Sequence, residues 1–340
     1  MSEQSLAELT TLRLGGPARR LVVATTDAEA IEAVRRASCV LVLAGGSNVV
    51  IADDGFPGTV VLLRQRGIEV SEEDGRVSVT VAAGEPWDDV VATAVGSGWS
   101  GIESLSGIPG SAGATPIQNV GAYGQEVAET ITTVRVFDRE RDEVVTLPAG
   151  ACGFAYRTSV FKHNERYVVL AARFLLAADR RSTPIRYAEL ARALGVEPGE
   201  RAPLEDVRSA VLKLRAGKGM VLDPADPDTY SVGSFFTNPV LDRAGYAALC
   251  ERAEPAAWPT PDGGAKVSAA WLIERAGYGK GYGREGSGVG VSAKHTLALT
   301  NRGTGSTAAL LELAREIRDG VRSRFGVELV PEPVLVNCAL

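Results

Sequence analysis

The glycine-rich loop that decides the fold reads Gly107-Ile-Pro-Gly-Ser-Ala-Gly-Ala114 and, one residue later, Pro116-Ile-Gln-Asn-Val-Gly-Ala-Tyr-Gly124. Residues 107–124 hold five glycines, three alanines and two prolines. Ordering so long a loop of such small residues costs much conformational entropy unless something packs on it. We therefore expect a large, flat ligand to lie along this backbone. Gln118, Asn119 and Tyr123 offer side chains for its hydrogen-bonding edges.

A second glycine stretch, Gly45-Gly46-Ser47-Asn48, follows an apolar run at residues 40–43 that predicts a buried strand. Consecutive glycines let a ligand approach the backbone closely, and successive N–H groups there form a site for an anion. Ser47 and Asn48 add side-chain donors. Such a turn is also an ordinary connection between strands, so its interpretation as a phosphate site depends on the long loop.

A third stretch, residues 281–286, matches the G-x-G-x-x-G pattern of dinucleotide-binding loops. That loop must follow a strand and open a helix, so that the helix N-terminus meets the pyrophosphate. Here a predicted helix precedes the match, and a glycine-rich loop and a strand follow it. The order is inverted, and we do not interpret this stretch as a dinucleotide site.

The composition is that of an ordinary globular protein, with 340 residues, 45% apolar and 23% charged. Its length predicts about two domains. The net charge of −6 argues against broad nucleic-acid binding, because phosphate neutralisation needs a basic face. No apolar stretch approaches the length of a membrane span, and the N-terminal sequence MSEQSLAELT has no apolar core typical of a signal peptide.

The four cysteines are far apart in sequence, and the chain has two histidines. No spacing resembles a metal-ligand pattern, so we expect no metal. Separate, reduced thiols are typical of a cytoplasmic protein. The sequence therefore predicts a cytoplasmic protein without membrane insertion, and it predicts nothing about oligomeric state.

Strands alternate with short helices from residue 21 to residue 178. A connection at residues 197–203 contains glycine and proline and precedes a predicted helix at residues 204–215, so we place a domain boundary there. The elements predicted near the C-terminus are a strand at residues 295–300, a long amphipathic helix at 306–325, and short strands at 327–330 and 334–336.

Taken together, these motifs resemble the UDP-N-acetylenolpyruvoylglucosamine reductases, which complete UDP-N-acetylmuramate in bacterial cell-wall synthesis. The resemblance extends over nearly the whole chain, and several long motifs occur in the right order. They are Thr11-Leu-Arg-Leu-Gly-Gly-Pro17, Ala44-Gly-Gly-Ser-Asn48, Ile108-Pro-Gly-Ser-Ala-Gly113, Pro116-Ile-Gln-Asn-Val-Gly-Ala-Tyr-Gly124, Gly153-Phe-Ala-Tyr-Arg-Thr-Ser159, Gly233-Ser-Phe-Phe-Thr-Asn-Pro239 and Pro331-Glu332.

The resemblance implies an α+β fold of the vanillyl-alcohol-oxidase-like (PCMH) type. Two subdomains at residues 1–65 and 66–200 would hold FAD. An α/β substrate-binding domain would occupy residues 204–330, and residues 331–340 would form a C-terminal strand that bears Glu332.

The resemblance also implies which residues hold FAD and that the attachment is non-covalent. Many oxidases of this fold bind flavin through a histidine in the corresponding loop, but Ser47 follows Gly46 here, and neither histidine lies in a glycine loop. The pyrophosphate would lie at Gly45, Gly46, Ser47 and Asn48. The isoalloxazine and ribityl chain would lie along Pro109, Gly110, Ser111, Gly113, Ala114, Gly121 and Ala122.

The implied reaction is the reduction of UDP-N-acetylglucosamine enolpyruvate by NADPH through FAD. It requires a hydride at C3, a proton at C2 and stabilisation of the anion between them. Ser234 resembles the proton donor of the family, and Arg157 and Glu332 match its other two active positions. Without the surrounding motifs, the favoured interpretations of these residues are a turn serine, a surface arginine and a solvated glutamate.

Five further residues match substrate positions of the family. Tyr156 would pack beside the enolpyruvyl group, and Lys218 and Asn238 would lie near the diphosphate. Tyr187 corresponds to a tyrosine that one branch of the family closes over the substrate. His295 lies where uridine is expected, although a histidine in a strand is more often structural.

Two other functions remain open at this stage. The chain is a candidate for another FAD-dependent oxidoreductase of the same fold, such as a sugar or alcohol oxidase. It is also a candidate for a non-catalytic nucleotide-binding module. The missing histidine argues against the first, and the set of Arg157, Ser234 and Glu332 argues against the second.

Overall fold

The structure is a computed structural model and describes residues 4–340. The first three residues of the predicted first subdomain therefore lie outside the described chain. Among the described residues, seven α-helices form. In chain order they are α1 (Asp27–Arg36), α2 (Trp87–Ser97), α3 (Ala188–Leu194), α4 (Leu204–Gly217), α5 (Arg243–Cys250), α6 (Ala269–Arg275) and α7 (Thr307–Phe325). None of these helices is both long and apolar enough to cross a membrane.

The same residues contain nineteen strands, many of them short. They are β1 (Gln4–Ser5), β2 (Pro17–Ala24), β3 (Val40–Leu43), β4 (Val49–Ile51), β5 (Phe56–Leu63), β6 (Ile68–Glu73), β7 (Arg76–Ala82), β8 (Trp99–Ser100), β9 (Gly121–Ala122), β10 (Gln125–Glu126), β11 (Ile131–Asp138), β12 (Glu143–Pro148), β13 (Tyr167–Ala178), β14 (Val240–Leu241), β15 (Ala257–Pro259), β16 (Ala265–Val267), β17 (Val289–Val291), β18 (Leu299–Asn301) and β19 (Val334–Val336).

The chain divides into two compact units, and both are discontinuous in sequence. Unit 1 contains the described residues up to Pro17, then Ser47–Phe56, and finally Leu222–Leu340. Unit 2 contains Ala18–Gly46 and Pro57–Val221. The chain therefore passes from unit 2 to unit 1 between Gly46 and Ser47, in the middle of the second glycine stretch.

Unit 2 is built on two sheets. In the first, β3 runs parallel to β5, which also pairs with β2, and α1 contributes Ala30 and Val34 to the core of this sheet. In the second, β12, β11, β13, β7 and β6 lie side by side in antiparallel order. Strands β11 and β12 form a hairpin. Trp87, Val91 and Phe174 are among the buried residues of the second core.

Helix α4 belongs to unit 2, so this compact unit continues past the domain boundary predicted before residue 204. Leu204 is buried in the core of the antiparallel sheet. Val207 and Val211 pack in a small cluster with Ile185 and Leu190. The apolar side chains of α4 thus pack against other residues of unit 2. The amphipathic pattern predicts the helix, but it does not predict which residues its apolar face contacts.

Unit 1 combines the N-terminal residues, the β4 segment and the C-terminal third of the chain around one core. Strand β19 runs parallel to β4, with Val334 opposite Val49 and Val336 opposite Ile51. Unit 1 therefore contains parts of the predicted domain at residues 1–65 together with residues 331–340, which are far apart in sequence. Helix α7 supplies much of the core, including Leu310, Ile317 and Val321.

Helix α7 begins where two side chains accept hydrogen bonds from its first N–H groups. Ser306 accepts one from Ala309, and the Asp53 carboxylate accepts one each from Thr307 and Ala308, at 2.8 and 2.9 Å. These bonds satisfy groups that a helix N-terminus otherwise leaves without partners, and the negative charge is favourable there. Asp53 thereby fixes the segment after β4 to the longest helix of unit 1.

Two strands predicted near the C-terminus are wrong in whole or in part. Residues 327–330 alternate between buried and exposed side chains, but they form no strand. The predicted strand at 295–300 is observed as Leu299–Asn301, because the Ser292 hydroxyl accepts hydrogen bonds from Lys294 and His295 and turns the chain before it. In residues 327–330 the alternating pattern reflects burial of every second side chain, without the backbone hydrogen bonds of a strand.

Candidate functional site

The two glycine stretches meet within unit 2. A Cβ atom on Gly45 would lie 2.4 Å from the Cα atom of Gly110, so only a residue without a side chain fits there. Gly110 is itself held by its carbonyl, which accepts the Trp87 N–H at 3.0 Å. The turn at residues 45–46 and the long loop at residues 107–124 therefore form one continuous backbone surface, as a single large ligand requires.

The long loop is fixed to the connection between β7 and α2. The Ala112 N–H donates to the Glu85 carbonyl at 2.8 Å, and the Gly113 N–H donates to the Ala83 carbonyl at 3.0 Å. A Cβ on Gly113 would lie 2.5 Å from the Ala83 Cβ. The small residues in this part of the loop thus serve its close packing on the protein.

The first residue of the loop, Gly107, is held on both sides. Its N–H donates to Asp88 Oδ1 at 2.6 Å, and its carbonyl accepts from Arg215 Nε at 3.1 Å. Arg208 binds both oxygens of Asp88, at 2.7 and 2.8 Å. This double hydrogen bond orients the carboxylate, so two arginines of α4 fix the start of the loop.

Burial dominates the electrostatics of this anchor. It lowers the pKa of the Arg215 guanidinium to about 10, which still leaves the group charged at neutral pH. Burial alone would raise the pKa of Asp88, but hydrogen bonds from Arg208 and Gly107 outweigh it and hold that pKa below its ordinary value. The anchor is therefore a charged network under neutral conditions.

The hydroxyl of Ser111 is buried without a hydrogen-bond partner among the residues that the structure describes. Leaving a buried hydroxyl unpaired costs about 1–3 kcal/mol, so such groups commonly have a partner. Ser111 follows Gly110 at the junction of the two glycine stretches. An unpaired donor at a surface built of glycine backbone fits a polar cofactor such as FAD.

Asn119 does not offer its side chain to a ligand, contrary to the expectation from sequence. Its amide donates to Glu126 Oε2 and to the Ala155 carbonyl, at 2.8 and 3.2 Å, and its oxygen accepts the Ala128 N–H at 3.1 Å. The side chain is buried, and its hydrogen bonds stabilise the loop from the side that faces the protein. A polar residue in a glycine loop looks the same in sequence whether it faces a ligand or the protein.

Arg157 lies against the end of the same loop. Its guanidinium donates to the Gly121 carbonyl at 2.7 Å and lies over the Tyr156 ring, 5.2 Å from the ring centre. The backbone φ of Arg157 is +54°, and Asn119 and Tyr123 have φ values of +47° and +48°. Residues other than glycine adopt this conformation at a cost, and such residues concentrate at functional sites.

Tyr123, Tyr187 and Lys218 form a cluster at the end of the long loop. The two tyrosine rings meet edge to face, with centres 5.5 Å apart, and Lys218 Nζ lies 5.6 Å from the centre of the Tyr123 ring. Burial, with the nearby Glu189 as a lesser cause, raises the pKa of Tyr123 to about 12. Lys218 Nζ also forms an ion pair with Glu189 at 2.5 Å. The cluster contains two of the predicted substrate residues.

Ser234 and Glu332 lie on neighbouring segments of unit 1. The Glu332 N–H donates to the carbonyl of Phe235, the residue after Ser234, at 2.8 Å. On the other side, Ser234 pairs with Ala298. Gly233, with a φ of +74°, makes the turn that leads into Ser234. The structure therefore brings together two of the three predicted catalytic residues, while Arg157 lies in unit 2.

The other predicted residues of unit 1 have identifiable contacts. The Asn48 side chain donates to the Glu332 carbonyl at 3.5 Å, so these two predicted residues are in contact within unit 1. The Asn238 oxygen accepts the Ala269 N–H at 2.9 Å and so helps to fix the start of α6. His295 lies in the turn formed around Ser292, rather than in a strand.

Sequence reasoning missed the residues that hold the loop, above all Asp88, Arg208 and Arg215. A signal for Arg215 was present, because it occupies the same face of α4 as the buried Val207 and Val211. A charged residue at an apolar position of a helix indicates a buried polar contact. It does not indicate which residue is the partner in that contact.

Comparison with known families matches two models to this chain. The FAD binding domain matches residues 18–147, and the C-terminal domain of UDP-N-acetylenolpyruvoylglucosamine reductase matches residues 224–336. The first region contains both glycine stretches, and the second contains Ser234 and Glu332. The chain is an FAD-dependent oxidoreductase.

Individual proteins of known sequence or structure are similar to this chain over nearly its whole length. The chain is 62% identical to UDP-N-acetylenolpyruvoylglucosamine reductase of Salinispora arenicola, over 100% of this chain and 96% of that protein. It is 55% identical to the protein of that name from Saccharopolyspora erythraea, over 99% and 95%. The crystal structure of the reductase from Thermus caldophilus matches with a TM-score of 0.67 at 25% identity, over 98% of each chain. The chain belongs to the UDP-N-acetylenolpyruvoylglucosamine reductase family.

This membership confirms several predictions made from sequence: the α+β FAD-binding fold, the enzyme class and FAD as the cofactor. The roles of individual residues and the limits of the functional domains remain predictions.

Proposed function

We propose that this chain catalyses the reduction of UDP-N-acetylglucosamine enolpyruvate to UDP-N-acetylmuramate with NADPH, in the cytoplasm, as a step toward peptidoglycan. The observation that carries the proposal is the pairing of Ser234 and Glu332 on hydrogen-bonded segments of unit 1, at a 2.8 Å bond from Glu332 N–H to the Phe235 carbonyl. The four cysteines are free thiols, which supports the cytoplasmic location.

Ser234 is the proposed donor of the proton at C2 of the enolpyruvyl group. FAD, when bound at the glycine stretches, would supply the hydride for C3 and would itself be reduced by NADPH. A serine hydroxyl is a weak acid in water, so its proton transfer depends on a site that excludes water and favours the alkoxide. Ser234 is partly buried and its backbone is fixed on both sides, which holds the hydroxyl in one place.

Arg157 and Glu332 are the proposed partners of the substrate carboxylate. The planar guanidinium of Arg157 suits a carboxylate and stabilises negative charge that develops next to it. The hydrogen bond from Arg157 to the Gly121 carbonyl and the stacking on Tyr156 fix the orientation of that group before substrate arrives. Glu332 would orient the same substrate group or assist the proton transfer from Ser234.

Tyr156, Tyr187, Lys218, Asn238 and His295 are the proposed substrate contacts. In unit 2, Tyr187 is 41% exposed and lies in the cluster with Lys218, where an aromatic ring and an ammonium group are available together. Such a pair suits a phosphate beside a flat or apolar group. In unit 1, Asn238 and His295 would contact the remainder of the nucleotide.

The test is a flavin spectrum of the purified protein. We expect NADPH to bleach the flavin absorbance and the enolpyruvyl sugar nucleotide to restore it without oxygen. Hydrogen peroxide formed with sugars or alcohols would instead indicate an oxidase of the same fold. A spectrum that NADPH bleaches but the sugar nucleotide does not restore would contradict the proposed substrate.

We expect the FAD to be bound without a covalent bond. Neither residues 44–48 nor residues 107–124 contain a histidine or a cysteine that would form such a bond. Precipitation with acid should therefore release all the flavin into the supernatant, where its absorbance is measured. Yellow colour retained by the washed pellet would disprove the expectation.

Replacing Lys218 by alanine should weaken substrate binding more than it slows the reaction. A phosphate contact present in both the ground state and the transition state raises KM when it is lost and leaves kcat almost unchanged. We expect KM to rise about 10-fold, since hydrogen bonds to charged groups contribute about 1.5–3 kcal/mol. Lys213→Ala is the control, since Lys213 is exposed on α4, the helix that directly precedes Lys218. An unchanged KM in Lys218→Ala would remove Lys218 from the substrate site.

A further inference from the structure

The ion pair between Lys218 and Glu189 joins two helices of unit 2. Lys218 directly follows α4, and Glu189 lies in the first turn of α3. Lys218 Nζ is 2.5 Å from Glu189 Oε2, and the two side chains are 28% and 38% exposed. Both groups therefore remain accessible to a ligand, and the pair is of the partly exposed kind that contributes little to stability.

The surroundings of this pair are those of the proposed substrate contacts. Tyr187, the residue before α3, packs edge to face on Tyr123, and Lys218 lies over the same Tyr123 ring. Glu189 brings a carboxylate into this group of two tyrosines and a lysine, and its charge contributes to the raised pKa of Tyr123. The negative charge of this carboxylate would repel a diphosphate bound at the same site.

We propose that Glu189 occupies, in the ligand-free protein, the place on Lys218 that a substrate phosphate takes, and so competes with the substrate. This inference rests on the proposed function. A lysine ammonium is a compact charge with three donors, which exchanges one oxygen anion for another without a fixed geometry. A phosphate oxygen that binds Lys218 must displace the Glu189 carboxylate or bind beside it against charge repulsion.

Two consequences distinguish this role from that of an ordinary surface ion pair. Glu189 lowers the affinity for every ligand whose diphosphate lies on Lys218, so it acts equally on substrate and product. Its proposed effect is confined to the phosphate contact on Lys218, so we expect the chemical step to be unchanged. Removing its charge should therefore tighten binding, whereas removal of a stabilising ion pair would leave binding unchanged or weaken it.

The test is Glu189→Gln, which keeps the size and hydrogen-bonding capacity of the side chain. We expect KM for the enolpyruvyl sugar nucleotide to fall about 2- to 5-fold, the range that corresponds to the coupling of a partly exposed ion pair. The Kd of the product UDP-N-acetylmuramate, measured by calorimetry on the oxidised holoenzyme, should fall by the same factor. Both decreases should shrink in high salt, because salt screens exposed charges.

Glu129→Gln is the matched control. Glu129 pairs with Arg186, directly before Tyr187, at 3.1 Å, and the exposed fractions of the two side chains are 37% and 61%. It lies in the same unit and does not contact Lys218, so its loss should leave KM and Kd as in the wild type.

The possible failures are distinguishable. If the wild type neither reduces the enolpyruvyl sugar nucleotide nor binds the product, the proposed function fails, and this inference fails with it. If the wild type does both, but Glu189→Gln has an unchanged or higher KM and Kd, only the competition is disproved. A decrease of the same size in Glu129→Gln would also disprove it, because the effect would then come from net charge alone.

Discussion

The Ser234→Ala variant should reduce its flavin with NADPH at close to the wild-type rate and reoxidise it far more slowly with the enolpyruvyl substrate. The first half-reaction transfers a hydride and needs no proton from the protein. The second needs a proton at C2, and a positioned general acid typically contributes about 10²- to 10⁴-fold. We expect a loss at least as large. Stopped-flow traces of flavin absorbance measure both halves.

The surroundings of Ser234 make this comparison informative. The segment is held by backbone contacts, since Ser234 pairs with Ala298 and the Phe235 N–H donates to the Leu297 carbonyl at 2.7 Å. Removal of one oxygen should therefore leave the backbone in place. Ser234→Cys, which still carries an acidic proton, should lose less activity than the alanine variant. An alanine variant that reoxidises at the wild-type rate would assign the proton to another group, with Glu332 the next candidate.

The Gly45→Ala variant should fold but bind FAD about 5- to 150-fold more weakly. The added methyl group would lie 2.4 Å from the Gly110 Cα, which is backbone and has no flexible end to move aside. Overpacking of this kind costs about 1–3 kcal/mol, which converts to that range of affinity. The ligand-free loops can separate to relieve the overlap, whereas FAD needs them together. Titration of the apoprotein with FAD, followed by flavin fluorescence, gives the Kd.

Gly96→Ala is the control for this variant. Gly96 lies within α2, and a Cβ built there has no heavy atom within 4 Å outside its own helix backbone and neighbours. Alanine in a helix interior is favoured over glycine by about 0.5–1 kcal/mol. Gly96→Ala should therefore melt slightly higher and bind FAD as the wild type does. Equal FAD affinity in Gly45→Ala would show that the two glycine stretches need not stay in contact.

Local patterns predicted the elements of this protein well, and long motifs identified its family. The strands β3 and β19 have the predicted bounds, and α7 differs from its prediction by one residue at the start. These elements are specified by residues next to each other in sequence: apolar periodicity, the Ser306 cap and the glycine that ends α7. Short-range physical chemistry is enough to define them.

The predictions that failed concern what an element packs against. The amphipathic pattern of α4 predicts that one of its faces is buried, but it does not predict that this face packs within unit 2. Asn119 was expected to face a ligand and instead hydrogen-bonds to Glu126 and to two backbone groups. The anchor of Asp88, Arg208 and Arg215 was not predicted at all, since its partners are about 20 to 120 residues apart.

The parallel pairing of β4 with β19 imposes an order on how unit 1 is made. Val50 lies in the core of this unit and pairs with Leu335, so the ribosome completes most of the chain before β4 acquires its neighbour. Contacts between residues so far apart in sequence form slowly during folding. Apolar surface that stays exposed until they form is prone to aggregate. During synthesis, unit 1 therefore cannot complete its core until β19 has emerged, and a chain cut short before residue 332 lacks both this strand and Glu332, a proposed catalytic residue.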